Sequence, residues 1–170
     1  MLPIIYILKN GGINMNFKIV PLSKEYISFI QRVFEQNIPI LHGTHGSLKE
    51  WRNYFAGNPD PHEMHFIIIN EKEPVGWLKF NGLNKPEICI SMLVIDDKFK
   101  HKGAGRFALQ FSELYAKENN KTAIILQTTK DNTIAVNFYL KYGYEIIREM
   151  IYKVGDGVDR EGYEFKKIIK

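Results

Sequence analysis

The chain has one cysteine, Cys89, in 170 residues. A single thiol excludes an intramolecular disulfide and a cysteine-built metal centre. Cys89 also sits inside an apolar run, where a thiol is expected to be buried and inert. Long hydrophobic runs are missing too. A membrane-spanning helix needs about 20 apolar residues, and no stretch reaches that. The short apolar run from Leu2 to Leu8 lacks a basic leader and a small-residue cleavage site. It does not read as a signal peptide, and the cytoplasm is the expected location. Neither sign of charge dominates: 23 basic against 19 acidic residues leave a net +4. That is too slight to argue for nucleic acid and suits a small anionic ligand. The pairs His42/His45 and His62/His65 have the spacing of metal ligands, but no third ligand accompanies them, so no metal is expected.

What is present fits one globular domain. The composition is 45% hydrophobic and 25% charged, ordinary values at a length that can bury a core. Residues 1–14 read as an N-terminal extension, either from an upstream start or as an extra edge strand able to pair with a neighbouring chain. Residues 15–170 read as the domain proper. The pattern predicts a strand at Asn16–Val20 and a helix from Lys24 to Gln36 capped by Ser23. An irregular segment from Asn37 to Glu63 follows, with a helix at Leu48–Phe55. Strands follow at Met64–Asn70, Val75–Phe80 and Glu87–Ile95, then a helix at Ala104–Glu118 and a strand at Thr122–Gln127. A further helix and two final strands, Tyr144–Val154 and Gly162–Ile169, close the chain. Hairpins followed by a strand–helix–strand–helix unit predict a mixed α/β (α+β) sheet.

The densest basic cluster is Lys100-His101-Lys102-Gly103-Ala104-Gly105-Arg106. It lies between an apolar strand and an amphipathic helix. Glycines let backbone N–H groups approach an anion, and the new helix aims its positive end at the same place. The loop therefore reads as a phosphate cradle. It is not a Walker loop, since Gly-Lys-Ser/Thr is missing. As a dinucleotide fingerprint it has Ala108 at the third glycine position, and the next strand ends Leu126-Gln127-Thr128 without the acid that would bind ribose.

A second motif runs from Asp131 to Tyr144. Asp131 or Asn132 can cap a helix. Ile134, Ala135, Phe138, Tyr139 and Tyr142 recur at helical spacing, and Gly143 suits the left-handed position after its end. Taken together, the two motifs resemble the GNAT superfamily of acetyl-CoA-dependent N-acetyltransferases over about residues 65 to 150. The family loop, (Arg/Gln)-x-x-Gly-x-(Gly/Ala), is matched from Lys100 to Gly105, with lysine where Arg or Gln is usual. Lysine keeps the charge but loses the two-pronged fork. The family helix, Asn-x-x-Ala-x-x-Phe-Tyr-x-x-x-Gly-(Phe/Tyr), is matched at Asn132, Ala135, Phe138, Tyr139, Gly143 and Tyr144.

The resemblance implies a central, mostly antiparallel twisted sheet flanked by about four helices. It implies transfer of acetyl from acetyl-CoA to a primary amine of a small molecule, peptide or protein, by direct attack in a ternary complex. Leu93, Val94 and Ile95 would run beside the pantetheine arm, with a bulge splaying their strand from the next. Lys100, His101, Lys102, Gly103, Ala104, Gly105 and Arg106 would hold the pyrophosphate. Asn132 would touch the arm, and Tyr139 would protonate the leaving sulfur as general acid.

Other readings remain beside it. Tyr139 also fits a helix-to-sheet packing role, and Asn132 a pure cap. Glu87 is the tentative general base, and equally a strand-end carboxylate; a water chain can also do that work. His42, Trp51 and Trp77 are tentative acceptor-pocket residues, though both tryptophans would serve as core. The alternative function is a non-catalytic acyl-CoA-binding or sensor module, followed by a nucleotide-binding protein of another fold. Acetyl-CoA and an amine are the expected partners, for a monomer or homodimer.

Overall fold

The computed structural model describes the backbone of residues 6–7 and the whole of residues 16–57 and 60–170. An eight-stranded sheet has the order β1-β2-β3-β4-β5-β6-β8-β7. The strands are β1 (Tyr6–Ile7), β2 (Phe17–Pro21), β3 (Glu63–Asn70), β4 (Glu73–Asn81), β5 (Glu87–Ile95), β6 (Ala123–Thr129), β7 (Glu145–Lys153) and β8 (Asp159–Ile168). Every pairing is antiparallel except β5 with β6. Four helices accompany them: α1 (Ile27–Leu41), α2 (Leu48–Ala56), α3 (Ala104–Glu118) and α4 (Thr133–Lys141). The architecture is the mixed sheet with four helices that the sequence pattern and the resemblance lead one to expect.

The run Phe66-Ile67-Ile68-Ile69 in β3 has no polar alternation because both faces are covered. Phe66 and Ile68 join a core with α3 and α4 residues, including Phe107, Phe111 and Tyr139. Ile67 and Ile69 join a second core with Phe29, Ile30 and Val33 of α1. α3 and α4 therefore pack on one face of the sheet, and α1 on the other. Each fully buried aromatic or branched side chain contributes about 1.5–3 kcal/mol.

Within residues 1–14, Tyr6 and Ile7 pair with Ile19 and Lys18 of β2 and form the outer strand; the rest of that segment lies outside the described residues. The first helix departs from expectation. A 3-10 turn at Lys24–Tyr26 comes first, and α1 then runs on through Pro39 to Leu41. Proline this near a helix end forfeits one backbone bond, and the buried side of α1 continues from Val33 to Asn37. The helix ends where His42 turns left-handed at φ 51°. Ser23 precedes the 3-10 turn but caps nothing with its side chain; its hydroxyl donates to Glu25.

Candidate active site

β5 shapes the site. It pairs with β6 only from Glu87↔Ala123 to Ile90↔Leu126. The next residue, Ser91, is an extra one against β4, since Lys79 faces Met92 while Phe80 faces Ile90. That bulge bends β5 away as its pairing with β6 stops. β6 continues to Thr129, held only by β8. The two strands part, and a cleft of about 450 Å³ opens between them. Leu93, Val94 and Ile95 line one wall; Asn132, Ala135, Phe138 and Tyr139 line another. On the edge of β5 facing the gap, no strand among the described residues takes up the N–H and C=O groups beyond Ile90.

The loop after β5 begins at Asp96, which is 2% exposed. Its carboxylate accepts the Lys98 N–H at 3.0 Å and pairs with Arg32 at 2.7 Å. Burial alone would raise the Asp96 pKa. The Lys98 N–H and the Arg32 guanidinium outweigh that and hold it below the usual carboxylate range. Gly103 then takes φ 96°, a conformation that favours glycine, and its carbonyl accepts the first α3 bond, from Phe107 at 2.9 Å. The first N–H groups of α3 have no partner within the helix, and Gly103 and Gly105 line the cleft beside them. Gly105 also lets α4 come close. A Cβ there would stand 3.0 Å from the Phe138 ring.

The basic side chains of the loop are not equivalent. The Lys100 ammonium is already engaged, 2.6 Å from Asp97 and 2.9 Å from the Asn37 side-chain oxygen. It ties the loop to α1. His101, Gly103, Gly105 and Arg106 line the cleft with Lys100. Lys102 is exposed and lies over the Phe99 ring at 5.4 Å. Ala104 is buried beneath the loop.

Tyr139 is 9% exposed and packs between Tyr144 and Phe165, at 5.8 and 5.7 Å between ring centres. Burial pushes its hydroxyl well above the usual tyrosine range, so it stays protonated near neutral pH. It is thus core and cleft wall at once. Asn132 accepts the Ala135 N–H at 3.2 Å as the α4 cap and also lines the cleft. Gly143, at φ 79°, follows the helix end.

The remaining candidates separate in space. Glu87 is not brought into the cleft. It lies at the opposite end of β5, six residues from Leu93, and is ion-paired to Lys166, so it is out of place for a base acting in the cleft. Trp77 is 3% exposed and belongs to the second core. Trp51 packs on it with ring centres 5.9 Å apart, beside Phe34 and Phe55. His42 instead reaches Asp131, 3.2 Å away, beside a hollow of about 140 Å³ that shares Ile40, Asn132 and Ile134 with the cleft.

Sequence patterns alone do not single out two further groups. Asn37, Ile40 and Leu41 line the cleft from the last turns of α1. Their helical spacing from Val33 is the available signal, masked by Pro39. On the α1/α2 face, Glu63 pairs with Lys79 at 2.7 Å and lies 3.2 Å from His65. Tyr54 donates to Glu63 at 3.2 Å, and Trp77 donates to His65 Nδ1, also at 3.2 Å. His65 therefore offers Nε2–H to Glu63. Burial lowers the His65 pKa, helped by the Lys79 charge and opposed by Glu63. No group of three potential metal ligands gathers among the described residues, and no helix among them is long and apolar enough to cross a membrane.

Known proteins share this arrangement. A spermidine N-acetyltransferase from Vibrio cholerae, solved with CoA and spermine, superposes with a TM-score of 0.79 at 16% identity, over 89% of this chain and 95% of that one. The ribosomal-protein-S18-alanine N-acetyltransferase of Escherichia coli gives 0.70 at 17% identity, over 91% and 94%. Ard1 from Thermoplasma volcanium gives 0.72 at 18% identity, over 91% and 98%. At such identities these likenesses show the fold. A search of curated proteins finds no match. The model of the acetyltransferase (GNAT) family matches residues 30–144, a span that holds both the parted strands and the two motif segments. The chain belongs to the acetyltransferase (GNAT) family.

Proposed function

We propose that the protein moves the acetyl group of acetyl-CoA to a primary amine of a small molecule, peptide or protein, by direct attack in a ternary complex in the cytoplasm. The observation that carries this reading is the parting of β5 from β6 at Ser91, with Tyr139 on one wall and the glycine loop at the outer end.

The loop and the start of α3 receive the pyrophosphate through backbone N–H groups. The arm lies along Leu93–Ile95, whose free edge hydrogen-bonds it and polarises the thioester carbonyl. The neutral amine enters from the α1/α2 face and attacks the carbonyl carbon. A C–N bond forms and the carbonyl pair becomes an oxyanion. As the oxyanion collapses, the C–S bond breaks and the departing thiolate takes the Tyr139 proton. The nitrogen gives up its surplus proton to water, and Tyr139 is later reprotonated by solvent.

On the α1/α2 face the Glu63 carboxylate already holds Lys79. A polycation would have to displace it, which weighs toward an acceptor of low positive charge. The test is thiol release from acetyl-CoA against a panel of amines: spermidine, an N-terminal alanine peptide, a lysine peptide and free amino acids. Turnover with one of these, lost in Tyr139→Phe while CoA still binds, supports the enzyme. Tight CoA binding without thiol release for any amine supports the sensor instead.

A further inference from the structure

His42 and Asp131 come from opposite sides of the parted strands. His42 ends α1, and Asp131 lies between β6 and α4. Their side chains meet at 3.2 Å, His42 Nε2 to Asp131 Oδ2. The pair lies outside the large cleft and lines the adjoining hollow of about 140 Å³, which shares Ile40, Asn132 and Ile134 with it. The His42 side chain is 16% exposed.

The backbone beneath the ring is pinned. The His42 N–H donates to the Ile38 carbonyl and the His42 carbonyl accepts the Asp156 N–H, each at 2.7 Å. Gly155 backs onto Gly43 so closely that a Cβ there would stand 3.0 Å from the Gly43 Cα. The turn between β7 and β8 thus fixes the end of α1. A carboxylate only accepts hydrogen bonds, so His42 Nε2 carries the hydrogen and Nδ1 of the neutral ring keeps a bare lone pair. No group among the described residues bonds that nitrogen. His65 differs, because Glu63 and Trp77 occupy both of its ring nitrogens.

The charges around the His42 ring come from several elements. Asp131 precedes α4. Asp156, in the β7–β8 turn, also feels the His42 charge, but both of its oxygens are held by Arg160 of β8 at 2.7 Å. Tyr152 of β7 and Arg160 feel Asp131 in turn. Asp131 is therefore the carboxylate left for the ring.

We infer that His42 accepts the surplus proton of the acceptor nitrogen, relayed by one water, with Asp131 as its positioning partner. The inference rests on the acetyl-transfer reading above, in which that proton goes to water. As the C–N bond forms the nitrogen becomes cationic. Its N–H bond breaks, the electron pair stays on nitrogen, and the water that takes the proton gives one of its own to Nδ1. The imidazolium stands beside the Asp131 carboxylate until it releases the proton to solvent. Asp131 sets the tautomer and stabilises that cation. The Tyr139 proton goes separately to sulfur.

Steady-state kinetics of the full chain with acetyl-CoA test it. The amines are spermidine, an N-terminal alanine peptide, a lysine peptide and free amino acids, and the one that wild type acetylates fastest is kept. His42→Gly suits the left-handed turn at φ 51° and leaves a gap the size of the ring. Its kcat should fall about a hundredfold, the low end for general acid–base catalysis, while CoA affinity by calorimetry holds. Imidazole added in solution should recover part of that rate, which a merely structural role would not show. His42→Asn, also at home in a left-handed turn, should be equally slow with or without imidazole. Asp131→Asn should move the acid limb of the kcat profile to lower pH, because the imidazolium loses its carboxylate. Wild-type kcat in His42→Gly and His42→Asn overturns the assignment, and so does a loss in His42→Gly that imidazole leaves unrepaired. An acid limb unmoved in Asp131→Asn overturns the role of Asp131. CoA binding by wild type with no amine acetylated overturns the transfer reading, and this inference with it.

Discussion

The two sides of the parted strands are built by different means. On the α3/α4 side the site is local and made largely of backbone: a glycine loop, a helix start, a cap at Asn132 and one tyrosine. On the α1/α2 side it is made of side chains far apart in sequence. Glu63, His65, Lys79, Tyr54 and Trp77 meet there, and Arg32 reaches across 64 positions to Asp96. The first kind of site needs particular residues at fixed spacing. The second needs only that each buried polar group find a partner, and many residue choices satisfy that. In the function proposed above, the first side receives the cofactor and the second faces the acceptor.

The largest expected effect breaks the first side. Tyr139→Phe removes the proposed proton donor without changing the packing, and kcat should fall at least about a hundredfold, the low end for general acid–base catalysis. CoA affinity, read by calorimetry, should hold. Next comes Gly103→Val. A β-branched residue at φ 96° is strained by on the order of 1–3 kcal/mol, and relieving that strain moves the cradle. Affinity for acetyl-CoA should drop about tenfold or more on that scale. Gly157→Val sharpens the comparison, since Gly157 has φ 79° and nothing within 4 Å of its would-be Cβ. It should lower stability in urea and leave CoA affinity intact.

On the other side the effects are on stability. Arg32→Ala leaves the Asp96 carboxylate buried without its cation, a loss of about 1–3 kcal/mol by urea unfolding. The folded pKa of Asp96 lies below its unfolded value. Its contribution is therefore complete above the ordinary carboxylate range and disappears as pH falls through the lowered value; Arg32→Ala should flatten that acid limb. The smallest effect comes from His65. Its folded pKa is lowered from 6.5, so the neutral form is the stabilising one. Stability should decline as pH drops below about 6.5, the unperturbed histidine value, and His65→Phe should remove that step from the pH scan.

How much is legible in the sequence follows the same divide. The succession of strands and helices along the chain, the loop from Lys100 and the capped helix at Asn132 are legible because local patterns dictate them; the insertion of β8 between β6 and β7 is not. The strand Glu87–Ile95 and the helix Ala104–Glu118 match their expected bounds. The α1 extension is not legible, since a proline near a helix end reads like a stop although it forfeits a single bond. Glu87 misleads because both ends of a strand look alike in sequence, and only the parallel pairing with β6 shows which end opens. His65 looks like half of a metal pair. Besides Glu63 in its own strand, it meets Trp77 in β4 and the rings of Tyr54 and Phe55 in α2, which no spacing rule connects.

Thermal unfolding with acetyl-CoA, CoA, ATP and NAD is the sharpest test of whether the cleft between β5 and β6 receives CoA. A ligand at about 100 times its dissociation constant adds roughly 2.7 kcal/mol, a shift of about 5 to 10 °C at this chain length. The melting temperature should rise by that amount with acetyl-CoA and CoA and stay unmoved with ATP or NAD. An unmoved melting temperature with acetyl-CoA, or an equal rise with ATP, would contradict it.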